Sequence, residues 1–120
     1  MPVVKQGPYD VAVGKTLDPS AESQYWGVDI AEYIVVGVFF EFDVDPNATG
    51  EVYLRVYGCL DSDYANNEKY RIITWKYTQE QREGYIELRP TAMKNLAFKV
   101  VNNMNDTITY SIRIIGILLT

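Results

Sequence analysis

The chain has 120 residues, of which 48% are hydrophobic and 22% charged, the balance of one globular domain able to bury roughly two-thirds of the surface of its unfolded form. Its formal net charge is −5 and its 11 basic residues are scattered singly, so no positive stripe exists to neutralise phosphates and nucleic acid is not expected as a partner. Histidine is absent and Cys59 is the only cysteine. That removes the commonest general base, the commonest zinc ligand and any intramolecular disulfide.

Residues 1–6 lack the apolar run of a secretory signal, so synthesis and folding in a reducing cytosol are expected. Tyr9, Val11 and Val13 alternate until Gly14, residues 18–23 offer one helical turn, and Trp26 and Val28 mark a short strand. In residues 33–43 the even positions Ile34, Val36, Val38, Phe40 and Phe42 face inward. Val35 and Phe39 make the opposite face apolar as well, so this strand is expected to be covered on both sides, by the chain itself or by another subunit. The apolar run at 33–40 is about eight residues, far short of the roughly twenty a membrane-spanning helix needs. Residues 45–50 collect turn formers and predict a hairpin to the next strand, where Val52, Leu54 and Val56 face in and Tyr53, Arg55 and Tyr57 face out. Cys59, at the strand end, reads as a small apolar residue.

Residues 61–68 cluster oxygen ligands in a loop, but the spacing fits no EF-hand and a solvated turn is expected, with no metal. Strands follow at 70–77, with Ile73, Trp75 and Tyr77 on one face, at 84–89, with Ile86 and Leu88 inward, and at 96–102, with Leu96, Phe98 and Val100 inward. Residues 90–95 offer a single helical turn. A polar hairpin loop at 102–106 leads into residues 107–119, where Ile108, Tyr110, Ile112 and Ile114 face in. Alternation fails at Ile114 and Ile115, which predicts a bulge with Gly116 as its flexible point. Both glycosylation-type sequons, at Asn47 and Asn105, read as turns.

These elements predict an all-β fold: a single domain, 1–120, made of a two-sheet antiparallel β-sandwich of about eight strands with jelly-roll or Greek-key topology. No catalytic constellation stands out. Glu41, Glu51 and Glu87 are acids on outward strand faces, no histidine activates Cys59 or a serine, and no glycine-rich loop precedes a helix, so neither enzyme activity nor a cofactor is expected.

The finishing strands at 96–102 and 107–119, with the Asn-rich turn between them, resemble small β-sandwich accessory virion proteins of tailed phages and similar viruses, of the decoration or head-fibre type. The resemblance covers residues 33–120 as a pattern. It implies a compact, self-associating structural protein, often a trimer, located in the virion after synthesis in the host cytoplasm and attached to a capsid or tail protein. Residues 1–7 are too short for the long N-terminal arm of such proteins, although a few residues suffice to add to a neighbour's sheet edge. Val35, Phe39, Tyr53 and Tyr57 are the expected interface of this homo-oligomer. The alternative is a carbohydrate-binding module in which Tyr53, Tyr57, Tyr85 or Trp75 stacks on a glycan and Asn66 and Asn67 supply polar contacts. A third reading, a hydrolase, requires carboxylates that converge in a pocket.

Overall fold

The alternating segments become strands, and two sheets bury their apolar sides against each other. The computed structural model describes residues 3–60, 70–89 and 93–119, among which nine strands form: β1 (Val3–Leu17), β2 (Ala21–Glu22), β3 (Trp26–Asp29), β4 (Val35–Asp43), β5 (Val52–Cys59), β6 (Tyr70–Lys76), β7 (Glu83–Leu88), β8 (Asn95–Asn102) and β9 (Ile108–Leu119). One sheet has the order β1-β9-β4-β7; the other runs β2-β8-β5-β6, with β3 also on β8. All pairings are antiparallel. β2 and β3 are two pieces of one edge position, because they meet opposite ends of β8. Ser23 bridges the gap: its amide donates to the Val100 carbonyl (2.8 Å) and its hydroxyl accepts from the Val100 amide (2.9 Å).

With β2 and β3 counted together, the chain crosses between the sheets at every connection except β5 to β6. That is the jelly roll. Two predicted hairpins are thereby corrected. β4 and β5 lie in different sheets, and so do β8 and β9, so residues 45–50 and 102–106 form arches over one end of the sandwich. The arches are tied to each other, Thr49 donating its amide to Asn105 Oδ1 (3.0 Å) and Asn105 its amide to the Thr49 carbonyl (3.1 Å). Asn102 anchors this end from inside. Its side chain is fully buried and donates to the carbonyls of Leu17 (3.0 Å), Asp18 (3.1 Å) and Asp106 (2.9 Å), while its Oδ1 accepts from the Met104 amide (2.9 Å).

The predicted bulge at Ile114–Gly116 is also corrected. β9 pairs with β4 without a break from Thr109 to Ile117. The extra residue sits across the ladder in β1, where the step from Gln6 to Tyr9 matches only the step from Gly116 to Ile114. Gly116 serves a neighbour: a Cβ there would lie 2.4 Å from the ring of Tyr33, so its bare backbone is the seat of that ring. β1 likewise does not stop at Gly14, and residues 3–6 are no arm but the first pairs of the chain's own sheet. Because β1 carries three register shifts, it is Ala12, between Val11 and Val13, that is buried. Residues 18–20 form a turn into β2 rather than a helical turn. Of the predicted helical turn at 90–95, residues 90–92 lie outside the described residues, and Asn95 already opens β8.

Between the sheets, Val36, Val38, Ile112 and Ile114 pack against Leu54, Val56 and Phe98, all fully buried. Trp75 belongs to this interior. Its ring stacks on Phe42 (5.5 Å) and meets Phe40 edge-on (4.6 Å).

Candidate functional site

The outer face of the four-stranded sheet carries an exposed aromatic pair. Register places Tyr85 of β7 directly opposite Phe39 of β4, with ring centroids 4.7 Å apart and planes tilted by 38°. The two side chains stay 40% (Phe39) and 53% (Tyr85) exposed. Tyr85 leans over Gly37, where a Cβ would come within 2.7 Å of its ring. Its hydroxyl donates to Glu87 Oε1 (3.1 Å), and its pKa is raised, first by desolvation and then by this bond to a carboxylate.

Beside the pair, Val35, Ile115 and Ile117 line a groove of about 180 Å³ edged by Lys5 and Glu87. On its other side, Glu41, Glu83, Ser111 and Arg113 surround an open depression of about 350 Å³. Arg113 is held between Asp10 (Nε to Oδ1, 3.1 Å) and Glu41 (3.6 Å). Glu41 and Glu83 are register partners on neighbouring strands, and like charges placed directly opposite on one face are destabilising.

On the outer face of the other sheet the aromatic side chains of β5 are engaged by their neighbours, while Tyr70, Ile72 and Ile73 of the edge strand β6 stay exposed. Tyr57 meets Tyr25 edge-on (5.5 Å), and Lys99 lies over the Tyr25 ring (4.6 Å) while pairing with Glu22 (3.2 Å). The Tyr53 hydroxyl donates to Glu51, which also takes Lys76 (2.8 Å).

No protein-family model matches the chain, and no curated protein matches it. Geometry therefore has to assign the roles. The four expected interface residues do not share a surface: Val35 and Phe39 lie on the four-stranded sheet, Tyr53 and Tyr57 on the opposite side of the sandwich. Val35 is already buried within the chain, which leaves Phe39 to offer contact. Of the expected glycan residues, Tyr85 joins Phe39, Trp75 is on the inner face, and Asn66 and Asn67 lie outside the described residues, as does the loop at 61–68. The hydrolase set does not assemble either. Glu41 and Glu87 are four rows apart along β4, about 13 Å at strand spacing, and Glu51 sits beside the other sheet. Glu41 and Glu83 do adjoin, but on one side of an open sheet, whereas glycoside hydrolysis needs acids flanking a bond.

Ile115, Ile117, Glu83 and Arg113 are site residues that single-strand alternation does not reveal. Their signal is the pairing of β9 and β7 on either side of β4.

Proposed function

We propose that this chain is a non-enzymatic structural subunit of a viral particle, a capsid decoration or appendage component, that works by self-association through the outer face of its four-stranded sheet. The exposed Phe39–Tyr85 pair carries this reading, since it continues into Ile115 and Ile117 on a face with no covering layer among the described residues. Jelly rolls serve in viral capsids and in lectins, and the fold alone does not choose between them. The face is large enough for the task. Four strands of this length span on the order of 600 Å² of flat sheet, the scale of one side of a standard interface.

Sedimentation of the intact chain at tens of micromolar tests the association. A discrete oligomer is expected, and a single monomeric species overturns the reading. Mass spectrometry of particles purified from the source tests the viral assignment, which falls if the chain is absent from them.

A second reading rests on the 350 Å³ depression, where an aromatic pair adjoins two carboxylates, a serine and an arginine. Those groups suit a sugar, with stacking below and hydroxyl contacts at the rim. A glycan array and tyrosine fluorescence test it. Saturable binding lost in Tyr85→Ala supports it, and a silent array removes it.

A further inference from the structure

The outer face of the four-stranded sheet is polarised along its strands. At one end Lys5 of β1 stands beside Ile117 and Val35, and exposed Arg89 follows one residue past β7. At the other end are Glu41 and its register partner Glu83, with Asp43 beyond them. Between the ends lie Phe39, Tyr85 and Ile115, together with two charges already engaged: Glu87 holds the Tyr85 hydroxyl, and Arg113 is held by Asp10 and Glu41. Lys5, Arg89 and Glu83 make no ion pair among the described residues. The like-charged Glu41–Glu83 neighbours are a cost that a cation above them would relieve.

We infer that the occupant of this face is a second copy of the chain, packed face to face about a two-fold axis that lies in the interface plane and runs across the strands. This deepens the self-association proposed above and rests on it. Two copies of one face related by a two-fold axis meet isologously. With the axis along the strands, Lys5 and Arg89 fall over the same residues of the second copy, and the acids over the acids. With the axis across the strands, each strand lies over its own counterpart in the opposite direction. Arg89 of one copy then stands over the Glu83 end of the other, while the aromatic and isoleucine centre closes on itself. Charge complementarity selects the second arrangement. The pairing is dimeric, in place of the trimer that the resemblance to virion proteins implies, and larger assemblies would be built from such dimers.

Charge-swap variants of the full chain, followed by sedimentation equilibrium and circular dichroism, test the arrangement. Arg89 and Glu83 lie at opposite ends of one strand, about 20 Å apart at strand spacing, so they cannot pair within a chain. Arg89→Glu alone and Glu83→Arg alone are each expected to weaken the dimer by on the order of tenfold or more, through like-charge contact across the interface. The double variant Arg89→Glu/Glu83→Arg is expected to recover most of the lost affinity. A wild-type dimer whose single variants weaken without rescue, or do not weaken, overturns the arrangement while leaving self-association intact. A wild-type chain that stays monomeric overturns the self-association itself. Unchanged circular dichroism separates both outcomes from misfolding.

Discussion

The two outer faces of the sandwich are built from similar residues and behave differently. On the five-stranded sheet, Tyr53 and Tyr57 are both engaged, one with Glu51 and the other with Tyr25, and the flanking lysines Lys76 and Lys99 are held by Glu51 and Glu22. On the four-stranded sheet, Phe39 and Tyr85 lie ring against ring and stay exposed even with the Tyr85 hydroxyl on Glu87, and Lys5, Glu83 and Arg89 find no ion pair among the described residues. Whether an outward aromatic is available for a partner is thus decided by its cross-strand neighbours rather than by its own type. A tyrosine opposite small or charged residues can be closed by them; one opposite a phenylalanine adds to an apolar surface.

The largest perturbation removes what the two faces share. Asn102→Ala leaves the Leu17, Asp18 and Asp106 carbonyls and the Met104 amide without their buried partner, and is expected to cost about 3 kcal/mol by urea unfolding. If each face is the property of its own sheet, this variant still associates below its melting range. Loss of association in a folded Asn102→Ala would break the comparison. Next in size, Phe39→Glu places a charge at the centre of the open face and is expected to abolish association by sedimentation while moving the unfolding midpoint little, since Phe39 is 40% exposed. Tyr57→Ala is the mirror test on the other sheet. It removes the edge-on contact with Tyr25, so about 1 kcal/mol of stability is lost with the oligomer unchanged.

What the amino-acid pattern makes legible follows from the same distinction. The inward residues of β4, β5, β8 and β9 can be read directly, because a period of two admits only one assignment of faces when one face is valine, isoleucine and phenylalanine. The connections cannot. Asp45, Pro46 and Asn47 specify that the chain turns, and the same chemistry serves a hairpin or an arch to the other sheet; the difference lies in distant partners such as Asn105. The site is half legible for the same reason. Phe39 and Tyr85 are each visible as outward aromatics, but only the pairing of β4 with β7 puts them in contact. Ile115 and Ile117 are hidden by the apparent loss of alternation at Ile114, which reflects a strand apolar on both faces and not a bulge.

Smaller effects come from two further tyrosines, the half-buried Tyr33 and the buried Tyr110. The pKa values of Tyr33 and Tyr110 are raised above the ordinary 10.0, in both cases first by desolvation; bonds with Trp26 and Ser23 partly oppose the shift at Tyr110. A raised folded value means that the native state holds the proton more tightly than the unfolded chain. Their contribution to stability is therefore complete below the unfolded value near 10 and is lost as pH rises through the folded values. Urea midpoints are expected to decline as pH rises above the ordinary value of 10.0 from this source, whereas a decline already complete below that value would show that burial does not hold these phenols neutral.

The smallest effect expected is at Tyr77, and its sign is informative. The Tyr77 hydroxyl is buried with no hydrogen-bond partner among the described residues, although its ring packs edge-on to Phe42 (6.3 Å). Tyr110, in contrast, accepts the indole N–H of Trp26 at 2.8 Å. Removing an unpaired buried hydroxyl relieves a desolvation cost, and removing a paired one creates an orphan donor. Tyr77→Phe is accordingly expected to be neutral or stabilising by up to about 1 kcal/mol, and Tyr110→Phe to be destabilising by a similar amount. Urea unfolding of the pair decides it. If Tyr77→Phe were the costlier of the two, a polar group must reach the Tyr77 hydroxyl, and the interior between the two faces would be less dry than its packing indicates.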